Sequence, residues 1–197
     1  MSQSYEAIFD GFEGNVEILK KDEQLQKLNF EKVPKLPPAF REGGTVTAAN
    51  SSPITDGAAA LLLMKESKAK ELGYKPLVRI IGQASYSREP EWFTLAPIGA
   101  IEKLLMANNW HKDDIDLYEV NEAFAVVAMA TIKEHGLDPK KVNIHGGACA
   151  LGHPIGASGA RILVTLIHAL RIHEGKRGVA AICIGGGEAL AIAVEVV

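Results

Sequence analysis

The stretch GGACALGHPIGASGAR, residues 146–161, is the part of this chain from which its fold and chemistry can best be read. It places five glycines and one proline between a short strand-like segment and an apolar helical segment. Glycine loses much backbone entropy on folding, and a loop so rich in it buries little apolar surface. Such loops occur where the backbone approaches a ligand closely or holds a polar side chain in an unusual direction. Here that side chain is His153, which Pro154 follows.

Strand-like and helical patterns alternate on both sides of this loop. Strands are predicted at 76–85, 116–120, 142–144, 179–184 and 189–197, and helices at 65–73, 96–108, 122–135 and 158–173. This order predicts an α/β fold in which helices cover a mixed sheet. The glycines at 185–187 are too short a connection for a parallel crossover, so the last two strands should form a hairpin.

The chain before residue 65 is less regular. Residues 1–43, which contain a proline cluster, are predicted to be a loop or lid with one short helix at most. TVTAAN at 45–50 is a strand candidate because it is rich in β-branched residues. GAAALLLM at 57–64 is too apolar to be exposed, so we expect a buried strand or a buried helix there.

Composition excludes several classes of protein. The formal net charge is −3 and no dense basic run occurs, which excludes a general nucleic-acid surface. No apolar run reaches the length of a membrane span, and the first residues lack a signal-peptide pattern, so we expect no membrane association. With only two cysteines, Cys149 and Cys183, we expect reduced thiols in a cytoplasmic protein.

Two side chains beside glycines are candidates for proton transfer. His153 has a reference pKa of about 6.5, which suits acid–base chemistry near neutrality. Cys183 ends an apolar strand just before three glycines, whose N–H groups could face a reacting oxygen. A cysteine at such a place is often inert core, and a loop histidine often only bonds the backbone. The flanking glycines favour the catalytic interpretation of both residues.

Two further patterns allow more than one interpretation. Asn121 follows a strand and precedes a helix, so it could cap that helix, and Asn121 or Glu122 could also lie in a site at the strand's carboxyl end. His145, Cys149 and His153 are spaced four apart, which suggests a zinc site. We expect no metal, because the intervening glycines and a proline prevent a regular helix and no fourth ligand is apparent.

Several motifs together resemble the thiolase family, and most specifically its acetyl-CoA acetyltransferases. They are NEAFA at 121–125, GGACALGHPIGASGAR at 146–161 and CIGGGEA at 183–189, with supporting matches at 44–64 and 89–97. The resemblance implies a thiolase-like layered fold and ping-pong acyl transfer through an acyl-cysteine. It also implies coenzyme A thioesters as substrates and no tightly bound cofactor.

The resemblance also implies a role for each site residue. His153 would accept the proton of the nucleophilic cysteine and help to stabilise an oxyanion, and Asn121 would hold a water in that oxyanion hole. Cys183 would remove the α-proton of the second acyl-CoA, or return a proton in thiolysis. The N–H of Gly185 would belong to a second oxyanion hole, and Ser51 would contact coenzyme A. These roles combine general acid–base and covalent catalysis.

One expected residue is absent from this sequence. Thiolases carry the nucleophilic cysteine in an amino-terminal half, whereas Cys183 fits the other role and Cys149 lies four residues before His153. The resemblance therefore implies that residues 1–75 end an amino-terminal domain with its loop region and that 76–197 form the carboxyl-terminal domain. We expect the missing amino-terminal half as a partner, and a homo-oligomer when complete. A non-catalytic acyl-CoA-binding module and a purely structural partner remain alternatives.

Overall fold

A single mixed sheet organises the molecule, for which the structure, a computed structural model, describes Asp22 and residues 29–197. Its strands are β1 (Val78–Ser87), β2 (Leu117–Val120), β3 (Arg177–Cys183) and β4 (Glu188–Val196). They lie in the order β1-β4-β3-β2. β2 is parallel to β3, whereas β4 is antiparallel to both β3 and β1. The predicted mixed sheet is therefore confirmed.

Helices cover both faces of this sheet. The helices are α1 (Glu66–Glu71), α2 (Ala96–Ala107), α3 (Ala125–His135), α4 (Ala148–Leu151) and α5 (Ser158–Ile172). Side chains alternate along β3, so Val179 and Ala181 share a core with α2 and α3 while Ala180 packs with α5. The predicted α/β layering follows from this alternation and is confirmed.

The connection between β3 and β4 is a tight hairpin, as its length predicts. The N–H of Ile184 donates to the carbonyl of Glu188 at 2.8 Å. The N–H of Gly187 donates to the carbonyl of Ile184 at 3.1 Å. Gly187 has a φ of +104°, and a Cβ there would overlap the carbonyl oxygen of Arg88. Glycine is therefore required at this position.

Helix α3 starts later than its sequence pattern predicts. Its first residue is Ala125 and its N-cap is Phe124, which makes no capping hydrogen bond through its side chain. The cap proposed for Asn121 is therefore wrong. The Asn121 side chain instead contacts His153 and Arg161, which removes it from the helix end.

Two predicted elements before α1 are absent from the described residues. In the segment 45–50, Ala48–Asn50 is a 3-10 helix capped by the side chain of Thr47, so the strand prediction is wrong. Residues 57–64 form neither helix nor strand, and Leu62 and Leu63 are 78% and 62% exposed. The prediction of a buried strand or helix at 57–64 is therefore wrong for the described residues.

Smaller differences concern loops. The strand predicted at 142–144 is reduced to one parallel bridge between Val142 and Tyr118. Most of the irregular region 1–43 lies outside the described residues, and its described part contains one 3-10 turn, Val33–Lys35. Within the part of the chain that the structure describes, no helix is long and apolar enough to cross a bilayer.

Candidate active site

The carboxyl ends of the parallel strands β2 and β3 lie at the same edge of the sheet. Val120 pairs with Ala181, and the N–H of Asn121 donates to the carbonyl of Ala181 at 2.8 Å. Asn121 follows β2 directly and Cys183 ends β3, so two predicted site residues lie at this edge. Open α/β sheets bind ligands at the carboxyl ends of their strands.

The glycine-rich loop brings His153 to the same edge. Its N–H donates to the carbonyl of Pro53 at 2.9 Å, and His153 forms a parallel bridge with Ile54. Gly152, just before it, has a φ of +90°, and a Cβ there would overlap the side chain of Thr55. The loop can approach this turn closely only because residue 152 has no side chain.

Hydrogen bonds assign the proton of the His153 ring. The Nδ1 atom lies 2.6 Å from Oγ of Ser158, and that hydroxyl donates its single proton to the carbonyl of Pro154 at 3.0 Å. With its proton directed there, the Ser158 oxygen accepts from a protonated Nδ1, and we assign the Nδ1–H tautomer on this basis. The lone pair of Nε2 then faces Nδ2 of Asn121 at 3.3 Å. In this tautomer, Nε2 is the atom that can take up a proton.

Electrostatics keep His153 in this neutral form. Burial lowers the pKa of the His153 imidazole, and the positive charge of Arg161 lowers it further. Both effects disfavour the protonated ring, so the ring is neutral at pH 7. A neutral imidazole with an available Nε2 has the properties of a general base.

Cys183 lies in the core with only 8% of its surface exposed. Burial raises the pKa of the Cys183 thiol to about 11, so the group is protonated at neutral pH. The turn that follows is open, since Gly185 is exposed and a Cβ built on it would meet nothing within 4 Å. Cys183 is therefore a proton donor at rest, beside backbone that a ligand could reach.

The connection from β2 to α3 also contacts the turn that contains Ser51. Ser51 forms an antiparallel bridge with Phe124, and its hydroxyl donates to the carbonyl of Thr47 at 2.7 Å. The N–H and hydroxyl of Ser52 both donate to the carbonyl of Ala123, at 3.0 and 2.9 Å. Ser51 thus lies next to the NEAF segment.

The three residues that suggested zinc have separate partners. The backbone N–H of Cys149 donates to Oε2 of Glu122 at 3.1 Å, and burial together with the Glu122 charge raises the pKa of the Cys149 thiol to about 12. The ring of His145 lies 5.5 Å from that of His173, while His153 bonds Ser158. Glu122, which the sequence offered as a site residue, holds the glycine-rich loop in place through Cys149.

Sequence reasoning missed three residues of this site: Glu119, Ser158 and Arg161. Arg161 donates from Nη2 to Oδ1 of Asn121 at 3.4 Å, and its Nη1 lies 3.7 Å from Oε2 of Glu119. Glu119 is only 2% exposed. A glutamate two residues before Asn121 in an otherwise apolar strand was the available signal, because alternate strand residues point to the same face.

Comparisons with known proteins agree with this geometry. Residues 74–196 match the family model described as thiolase, C-terminal domain, and residues 7–67 match that described as thiolase, N-terminal domain. The chain belongs to the thiolase family. Like other thiolases of known structure it has a layered α/β fold, so the fold expected from the resemblance is confirmed.

Among curated thiolases, a probable acetyl-CoA acetyltransferase of Dictyostelium discoideum is 51% identical over 182 residues, which are 92% of this chain and 44% of that protein. The mitochondrial acetyl-CoA acetyltransferase of Bos taurus is 52% identical over 179 residues, which are 90% of this chain and 42% of that protein. This thiolase chain therefore spans less than half the length of these curated relatives.

Two solved thiolase structures are similar over most of the chain. The Bacillus anthracis acetyl-CoA acetyltransferase superposes with a TM-score of 0.86 at 43% identity, covering 92% of this chain and 48% of that chain. A thiolase from Ascaris suum in complex with coenzyme A gives 0.82 at 44% identity, covering 98% and 51%.

The buried Glu119 leads to a prediction about the stability of this thiolase chain. Burial raises the pKa of Glu119 to about 7, although Arg161 opposes the shift. The pKa of Glu119 in the folded chain exceeds the value of about 4.3 in the unfolded chain. The contribution of Glu119 to the free energy of unfolding is therefore complete at low pH and is lost as pH rises through 7. Between pH 5.5 and 8.5 this loss should be about 2 kcal/mol.

Glu119→Gln should remove this dependence, so the urea midpoint of the variant should change less between pH 5.5 and 8.5. Glu102→Gln, at an exposed position of α2, is the matched control and should keep the wild-type profile. Parallel pH profiles for wild type and Glu119→Gln would contradict the prediction.

Proposed function

We propose that this chain is the carboxyl-terminal part of an acetyl-CoA C-acetyltransferase. The reaction would join two acetyl-CoA molecules to acetoacetyl-CoA and coenzyme A, and would also run in reverse as thiolysis. The observation that carries the proposal is the pairing of Nε2 of His153 with Asn121 at the sheet edge where Cys183 ends β3. The names of two curated relatives that are about half identical to this chain support the choice of acetyl-CoA as substrate.

In the first half-reaction, the nucleophilic cysteine of the complementary half gives its proton to Nε2 of His153. The thiolate attacks the thioester carbonyl of acetyl-CoA, and the protonated Nε2, with a water held by Asn121, stabilises the oxyanion. Collapse breaks the bond to the coenzyme A sulfur, which leaves with the proton from His153. The products are an acetyl-enzyme and free coenzyme A.

In the second half-reaction, Cys183 first loses its thiol proton to solvent, and the thiolate then takes the α-proton of a second acetyl-CoA, which restores the thiol. The carbanion attacks the acetyl-cysteine, a C–C bond forms, and the cysteine sulfur leaves as thiolate and takes up a proton from solvent. The N–H of Gly185 would stabilise the enolate oxygen. Thiolysis reverses these steps, and the protonated resting state of Cys183 suits the return of a proton to the leaving acetyl-CoA.

The nucleophile must come from a partner in this proposal. Cys149 is a poor candidate, because its raised pKa keeps it a thiol and its backbone is bound to Glu122. The matched region is 44% and 42% of these two relatives, so more than half of each relative lies outside it. We therefore propose an amino-terminal thiolase half as the partner.

An exposed apolar surface is available for that partner. A cavity of about 580 Å³ lies between the segment 60–64 and α5. Large apolar side chains around it are exposed, among them Leu62, Leu63, Leu77 and Ile80. Contiguous apolar surface on a soluble protein commonly marks an interface. Docking of the amino-terminal half there would bury residues 57–64, as their composition predicts.

Reconstitution tests the function directly. This chain, mixed with an amino-terminal thiolase fragment that carries the nucleophilic cysteine, should cleave acetoacetyl-CoA in the presence of coenzyme A. The Leu62→Ser/Leu63→Ser double variant should assemble poorly, whereas Met106→Ser, at an exposed apolar position of α2, is the matched control. Assembly is measured by sedimentation and activity by loss of the acetoacetyl-CoA absorbance.

Two results would overturn the proposal: no thiolysis by a properly assembled mixture, or full activity of this chain alone. Calorimetric binding of coenzyme A without any turnover by the assembly would instead favour an acyl-CoA-binding module. The cytoplasmic location, the homo-oligomeric state, a role in fatty acid metabolism and the division into residues 1–75 and 76–197 stay predictions.

A further inference from the structure

A continuous set of polar contacts runs behind the His153–Asn121 pair. Glu119 lies 3.7 Å from Nη1 of Arg161, and Nη2 of Arg161 donates to Oδ1 of Asn121 at 3.4 Å. Nδ2 of Asn121 then lies 3.3 Å from Nε2 of His153. Glu119 and Asn121 are almost completely buried, at 2% and 1% exposure. Buried polar groups of this kind are costly unless they are paired.

These contacts determine which way the Asn121 amide points. An arginine only donates hydrogen bonds, so it requires the oxygen of Asn121 on its side. The amide nitrogen is thereby directed at His153. If the amide turned over, its NH₂ group would face the guanidinium, and both groups are hydrogen-bond donors. Its oxygen would then face the lone pair of Nε2. The arginine thus opposes this reversed state, which would favour a proton on Nε2 of His153.

The fold places these residues by simple periodicity. Glu119 and Asn121 are alternate residues that point from β2 toward α5, whereas Val120 packs in the opposite core. Ser158 and Arg161 are three apart in the first turns of α5, so they share one face of that helix. One helix face therefore contacts both ends of the pair, Ser158 at Nδ1 of His153 and Arg161 at Oδ1 of Asn121.

We propose that Arg161, held by Glu119, is a positioning residue that orients the Asn121 amide and so keeps Nε2 of His153 available to accept a proton. The inference rests on the proposed function, because the accepted proton is that of the nucleophilic cysteine. Arg161 itself touches neither substrate nor reacting atoms in this role. It acts on the tautomer of His153 through Asn121.

The test compares Arg161→Met and Arg161→Lys in the assembly with the amino-terminal fragment. Nitrogen-15 NMR of the His153 ring, assigned by its loss in His153→Ala, should report a proton on Nδ1 in the wild type. Arg161→Met should show a mixture of both tautomers and a kcat lower by about 10- to 100-fold, with KM nearly unchanged. Arg161→Lys, which retains a cationic donor, should restore part of kcat and the Nδ1–H signal.

Arg171→Met, at an exposed position in the last turn of α5, is the matched control and should behave as wild type. A wild-type tautomer in Arg161→Met, whether or not kcat falls, would overturn the proposal. If Arg161→Met does not assemble, Glu119→Gln provides the test through the same tautomer shift, and its absence there also overturns it. An absence of thiolysis in the wild-type assembly would refute the proposed function. The NMR result would still decide whether Arg161 is a positioning residue.

Discussion

Replacing His153 with alanine should lower the thiolysis rate of the assembled enzyme by about 10³-fold. In the proposed mechanism, Nε2 of His153 takes the proton of the nucleophilic cysteine, so the variant loses the base of that step. A further loss follows because the protonated Nε2 is a donor to the oxyanion. The first half-reaction depends on this residue to activate the nucleophile, so the acetyl-enzyme should not form either.

A burst experiment measures that prediction. With acetyl-CoA in excess, the wild-type assembly should release one coenzyme A per site rapidly, and His153→Ala should release none on the same time scale. His173→Ala, at an exposed histidine, is the matched control and should retain the burst. A full burst in His153→Ala would show that another group activates the nucleophile.

Replacing Cys183 with serine should stop turnover and leave the first half-reaction intact. A hydroxyl is a far weaker acid than a thiol, so it can neither return the proton in thiolysis nor remove it in synthesis. We expect a loss of about 10³-fold in steady-state rate. Cys183 is buried, and serine is close to cysteine in size, so the fold of the β3 end should be preserved.

The distinguishing observation is a normal coenzyme A burst followed by no turnover. Cys149→Ser is the matched control, because Cys149 interacts with Glu122 mainly through its backbone N–H and should be dispensable for both steps. Loss of the burst in Cys183→Ser would place Cys183 in the first half-reaction. Normal turnover would remove it from the mechanism.

The pattern of the chain predicted the fold well where helices and strands bury one face. α2 and α5 follow from apolar residues at helical spacing, and the β3–β4 hairpin follows from three glycines. Prediction failed where a side chain forms a hydrogen bond with the nearby backbone. At 45–50, the Thr47 side chain caps a 3-10 helix where the sequence pattern predicts a strand. It also failed at 57–64, where neither a helix nor a strand forms and Leu62 and Leu63 are exposed.

The sequence by itself determined that a histidine, a cysteine and an asparagine are each set beside glycines or at a strand end, because such placements have few structural uses. Only the tertiary structure decided how they act. It brought Arg161 of α5 against Asn121 and Glu119 of the β2 edge, and Ser158 against His153. Contacts between a helix and a strand depend on packing across the sheet, which no spacing along the chain records. The tautomer of His153 is therefore a property of the folded site.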